Sequence, residues 1–252
     1  MLIDAHCHAS MFEDVEKELQ NAKKANVNLL ISNSVDFESM QKNIELAKKY
    51  KEIKILLGMH PEEVLNMQKK EIDEAFDFIE KNIKECIGIG ETGLDYKYAE
   101  TKEQKEWQID CFSRHIEIAK KYDLAIEAHS RRAQSVVLNM LEKAGAKNVL
   151  LHWFYADTKT VKKAMSLEYF ISVGPSIISN ESLKTIIENY PIEKILFETD
   201  CPAILFNGER VDSSWIQRVA KRVAEIKGIS FGEIEEITEN NAKKLFGTKL
   251  NV

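Results

Sequence analysis

Leu2-Ile3-Asp4-Ala5-His6-Cys7-His8 reads as a short β-strand that finishes on two histidines. Side chains alternate along a strand, so His6 and His8 share one side and can grip a single cation. The same pattern, an apolar run ending at a metal-type side chain, recurs down the chain. Glu91 follows residues 86–90, His129 follows 124–128, His152 follows 149–151 and Asp200 follows 195–199. Strands are expected at residues 2–8, 28–32, 53–58, 86–91, 124–129, 148–152, 169–173 and 195–200.

Helical periodicity fills the gaps between these runs. Over residues 36–50, Phe37, Met40, Ile44 and Ala47 recur at helical spacing behind a capping Asp36. Farther on, Trp107, Cys111, Phe112, Ile116 and Ala119 form one apolar stripe. Ser230 and Glu233 make a capping box for a late helix, with Gly247 as its stop. Eight strands alternating with helices predict an α/β fold, a (β/α)8 TIM barrel, forming one domain over residues 1–252. Barrel active sites are assembled at the C-terminal ends of different strands. His6, His8, Glu91, His129, His152 and Asp200 all fall there, so residues far apart in sequence are expected to meet at one mouth.

Composition narrows the classes. The 252 residues are 44% hydrophobic and 30% charged, enough for a full core. A net charge of −6 supplies no global field for nucleic acid or an acidic membrane, so any such binding has to be local to a site. The cysteines, at 7, 86, 111 and 201, lack the close spacing of a disulfide scaffold, and reduced thiols are expected. The residues before His6 show no signal-peptide pattern and no run reaches membrane-spanning length, so a cytoplasmic protein without a membrane partner is expected.

Mixed imidazole and carboxylate donors suit Zn²⁺, Mn²⁺, Fe²⁺ or Co²⁺ better than Ca²⁺. Six donors exceed the set of one tetrahedral zinc, so two divalent ions are expected (Mg, Mn or Zn), with Glu91 able to bridge them. Two adjacent ions activate a water and stabilise both oxygens of a displacement. Asp200 then ligates one ion and takes the water's proton, with a role as a hydrogen-bond partner of a histidine as its rival. Gly88-Ile89-Gly90-Glu91-Thr92-Gly93 also matches the spacing of a dinucleotide-binding loop. That fingerprint needs a helix opening at the motif, and here the glycines lie in a strand and a carboxylate sits where phosphate would bind. No nucleotide cofactor is expected, and the glycines are read as relieving crowding of the backbone.

The motifs together resemble the TatD family of metal-dependent deoxyribonucleases, within the amidohydrolase superfamily. They are Asp4-Ala5-His6-Cys7-His8, Gly58-Met59-His60-Pro61, residues 90–96 from Gly90 to Tyr96, His129-Ser130-Arg131 and His152-Trp153-Phe154. Glu198-Thr199-Asp200-Cys201-Pro202 and the late Asn241 to Gly247 complete the set, so the resemblance runs nearly end to end. Glu91 discriminates, because many superfamily relatives bridge their metals with a modified lysine on the fourth strand. The resemblance implies a TIM barrel, a divalent metal pair held by His6, His8, Glu91, His129, His152 and Asp200, and exonucleolytic phosphodiester hydrolysis of DNA. It also implies substrate contacts from His60, which could instead stabilise the loop before Pro61, and, at the strand 5 mouth, from Arg131, which could instead form a surface salt bridge. Tyr96 is a candidate to stack on a base or simply to pack its loop.

Four departures from the family pattern bear on the substrate and leave metal binding untouched. Glu62 stands after Pro61 where a second histidine is common, and Phe154-Tyr155-Ala156 replaces Phe-Ser-Gly. His115 replaces a glutamine and is expected in the core, and residues 205–214 lack the usual Arg-Asn-x-Pro loop. The alternative function is hydrolysis of a non-nucleic-acid amide, lactone or ester on the same scaffold, and a third is a structural metal site.

Overall fold

The computed structural model describes residues 1–250. All eight expected strands form: β1 (Leu2–Cys7), β2 (Val27–Asn33), β3 (Ile53–Leu57), β4 (Gly88–Gly93), β5 (Ala125–His129), β6 (Val149–Leu151), β7 (Phe170–Val173) and β8 (Ile195–Phe197). They lie in sequential order in one sheet, every neighbouring pair parallel. The sheet curls until β1 meets the chain leaving β8. Asp200 N–H donates to His6 O at 2.9 Å, and His8 N–H donates to Cys201 O at 2.8 Å. This is the expected TIM barrel, and its seam is joined at the mouth.

Element limits differ from expectation where function sits. β4 starts at Gly88 and continues past Glu91 to Gly93. β6 and β8 stop at Leu151 and Phe197, so His152 and Asp200 lie on the loops just beyond. β1 carries an irregular register between Asp4 and Cys7. Ile3 and Ala5 therefore pack in the apolar cluster with Leu150 and Leu196, while His6 and His8 meet the residues of the mouth.

Helices wrap the sheet as their periodicity requires. Phe37–Lys49 is capped by Asp36, whose side chain accepts from Ser39 N–H. The stripe at residues 107–119 lies on Lys102–Lys121, and His115 is fully buried there, accepting from Met59 N–H. Phe231–Phe246 has the expected Ser230–Glu233 capping box and ends at Gly247 with φ 61°. From this last helix and the turn after it, Leu245, Phe246 and Leu250 pack with Ile3, Leu150, Phe170 and Leu196. Among the described residues, no helix is long and apolar enough to cross a membrane.

Candidate active site

The six donors lie at or just past the ends of five strands and converge at the mouth, centred on Glu91. Its two carboxylate oxygens face different histidines. Oε2 lies 3.6 Å from His6 Nε2 and 3.7 Å from His8 Nε2, and Asp200 Oδ1 is 3.4 and 3.1 Å from the same two nitrogens. Oε1 lies 2.8 Å from His129 Nδ1, 3.6 Å from His152 Nε2 and 3.5 Å from His60 Nε2. Donors of a tetrahedral zinc stand about 3.3–3.4 Å apart, given bonds of about 2.0–2.1 Å. His6, His8 and Glu91 Oε2 lie close to that spacing, with Asp200 Oδ1 on the two histidines, so the residues present fit a divalent ion.

Each imidazole is aimed by what holds its other nitrogen. His6 Nδ1 bonds Glu127, fully buried in the barrel, and His152 Nδ1 donates to Glu198 Oε2 at 2.7 Å. His8 Nδ1 donates to Asn33 O at 3.2 Å. In each case Nε2 is left facing the centre, with the tautomer set by the distal acceptor. His129 is reversed: Nε2 meets Asp95 Oδ2 at 3.0 Å and Nδ1 faces Glu91. His60 caps a short helix, its Nδ1 accepting from Glu62 N–H, which leaves an Nε2–H donor turned toward the centre.

The electrostatics follow this wiring. Burial works against a proton on His129, but the Asp95 and Glu91 carboxylates overcome it and raise the pKa to about 9. His6 is likewise raised, against burial, by Glu127 and then Glu91. Burial also opposes charge on Glu91 and Asp200, yet the surrounding histidines hold both carboxyls well below their usual range. His60 goes the other way. Desolvation pulls it down to about 4, so it is a neutral hydrogen-bond donor. A cluster of carboxylates balanced by imidazoles with their far nitrogens occupied is a chelating arrangement, and metal binding there releases protons.

Backbone geometry admits these contacts at one tight point. Gly93 has φ 139°, and a Cβ there would stand 2.1 Å from His129 O. The strand glycines do relieve crowding, here between β4 and the backbone of β5 beside His129.

Residues 3–247 match the family model described as TatD related DNase. The chain belongs to the TatD family. It is 34% identical to human deoxyribonuclease TATDN3 over 97% of this chain and 94% of that protein. It is 30% identical to the metal-dependent hydrolase YabD of Bacillus subtilis over 98% and 99% of the two chains. Among solved structures, the TatD homolog YjjV of Escherichia coli superposes with a TM-score of 0.88 at 25% identity, covering 100% and 98%. As a TatD-family protein the chain is a metal-dependent hydrolase.

The remaining candidates are placed unevenly. His60 and Arg131 line a cleft of about 690 Å³ above the centre. Arg131 is already paired, its Nε and Nη2 both 2.8 Å from Asp95 Oδ2. Tyr96 lies outside that lining: its N–H donates to Arg131 O and its ring packs under Lys105 Nζ at 5.0 Å. Glu127, Glu198 and Asp95 received no role from sequence. A signal existed for the first two, because each is a carboxylate inside an otherwise apolar run and a buried charge has to be paired. Asp95 stands in a loop, and nothing in its neighbours points to His129.

Proposed function

We propose that this TatD-family hydrolase is a two-metal phosphodiesterase acting on DNA from an end. The observation carrying this reading is the division of donors about Glu91, with one oxygen beside His6 and His8, which also meet Asp200, and the other beside His129 and His152. A divalent pair held there (Mg, Mn or Zn) supplies Lewis acidity that lowers the pKa of a water and offsets phosphate charge.

The chain's own groups do the rest. Asp200, ionised at neutral pH, accepts the proton of the attacking water. His60 presents its Nε2–H to a non-bridging phosphate oxygen without adding a charge to be neutralised. Arg131, at the cleft wall, holds the phosphate only with the donors that Asp95 leaves free. Water adds to phosphorus, the ester oxygen leaves, and the proton taken up by Asp200 returns to that oxygen or to solvent. DNA enters this proposal from the name of the human relative. The four buried free cysteines fit a reducing, cytoplasmic setting.

The test is protein stripped with chelator, reloaded separately with Mg²⁺, Mn²⁺ or Zn²⁺, and given single-stranded DNA labelled at its 3′ or 5′ end. Shortening from one end, absent from the chelated protein and from Glu91→Ala, is expected. Metal-loaded protein that cleaves no DNA would overturn the reading in favour of an amide, lactone or other ester.

A further inference from the structure

The cleft has two unlike kinds of lining, and neither suits a long polyanion. Among the described residues lining it, Arg131 is the one lysine or arginine, and Asp95 already engages its guanidinium. Glu62 and Glu63 face the same cleft, two and three residues past His60. Burial, and then the charges of Asp36 and Glu62, raise the pKa of Glu63, the signature of a locally negative rim. Proteins that track single strands instead line their grooves with cations.

The same cleft carries aromatic and apolar surface. Trp153, Tyr155, Met11 and Ile204 all line it. Tyr155 is 47% exposed and Met11 44%, large apolar surfaces left uncovered. Trp153 is fixed in place. Its backbone N–H donates to Glu198 Oε1 at 2.8 Å, and its ring lies so close on Gly174 that a Cβ there would stand 2.6 Å from it. Its immediate neighbour in sequence is His152, so the indole is held beside the metal ligands.

We infer that the cleft is built for a substrate with one phosphodiester flanked by a nucleobase, a dinucleotide in preference to the end of a long strand. In this arrangement the base stacks on the Trp153–Tyr155 surface while Glu62 and Glu63 repel any further phosphates. The inference rests on the phosphodiesterase reading and assigns its substrate class. Hydrolysis of such a dinucleotide consumes one water and yields a nucleoside and a nucleoside monophosphate. The cleft volume falls within the about 300–1,000 Å³ typical of small-molecule sites.

The experiment gives metal-loaded protein four esters: bis(p-nitrophenyl) phosphate, dTpdT, its abasic analogue and a long oligothymidylate. Expected is a kcat/KM for dTpdT about tenfold or more above that per end of the long strand. The KM for dTpdT should change by about threefold or less between about 50 and 200 mM salt, as one phosphate requires. Glu62→Gln with Glu63→Gln should bring the dinucleotide-to-polymer ratio toward unity. Trp153→Leu should raise KM for dTpdT about tenfold and abolish its advantage over the abasic analogue. It should also remove the quenching of tryptophan fluorescence by a phosphorothioate-linked dinucleotide. Equal efficiency on dTpdT and polymer, or a steep salt dependence, would overturn this inference while leaving the phosphodiesterase reading intact. Failure to cleave any of the four esters would overturn both.

Discussion

The inside of the barrel is two materials stacked on the same strands. Toward the bottom, Ala125, Leu150, Phe170 and Leu196 pack with Phe246 and Leu250 in an apolar plug. Two residues farther along, Glu127, His152, Ser172 and Glu198 form a buried polar layer at the mouth, where Glu127 bonds His6 and Glu198 bonds both His152 and Ser172. Lower positions repay the cost of ordering the chain by removing apolar surface from water. Upper positions keep carboxylates and imidazoles desolvated, which is tolerable only because each has a partner. Stability and chemistry are thus separated by a single step of strand alternation.

Breaking the upper layer at its centre should have the largest effect. Glu91→Ala is expected to lower turnover about a thousandfold or more and to reduce the metal bound per chain. The metal-free variant should still fold, which circular dichroism would check. The opposite result follows from cutting the lower layer. Leu150→Ala should cost about 2–5 kcal/mol in urea unfolding while activity per folded, metal-loaded molecule is retained.

His115 sharpens the contrast, being a fully buried histidine outside the polar network. Its Nδ1–H donates to Cys111 O and its Nε2 accepts from Met59 N–H, so no carboxylate supports a charge on it. Burial lowers its pKa to about 4. In the unfolded chain it protonates near pH 6.5 and in the folded chain only near 4, so its contribution to stability is lost as pH falls through that window. His115→Gln should differ from wild type by an amount that changes by about 3 kcal/mol between those limits, measured by denaturant titration across pH. The smallest effect is expected within the network itself. Glu127→Gln keeps a hydrogen-bond acceptor for His6 but removes its charge, and should weaken metal affinity about 10–100-fold without loss of fold, as a chelator competition would report.

Sequence alone carried the barrel because strands buried on both faces must be continuous apolar runs, and eight of these stand out between amphipathic helices. The convergence of His6, His8, Glu91, His129, His152 and Asp200 was legible for the same reason, since each ends such a run. The partners that aim these side chains were not. Glu127 is separated from His6 by 121 residues and Glu198 from His152 by 46, so no local spacing records either pair. The apolar runs also place the ends of β6 and β8 too late, at His152 and Asp200, because the paired backbone stops at Leu151 and Phe197, where the side chains turn polar. Trp153 drew attention only as part of a motif; its placement depends on Gly174, a residue on the following strand's loop whose missing side chain makes the room.

The seam between β1 and β8 has a consequence for synthesis. His6 and His8 are synthesised long before Asp200 and Cys201, so the bonds His8 N–H to Cys201 O and Asp200 N–H to His6 O cannot form until the chain has been made past Cys201. A stalled or prematurely ended product therefore lacks both the closing bonds and Asp200. The candidate metal site is thus assembled only after the chain has been made past Asp200, however early His6 and His8 are in place.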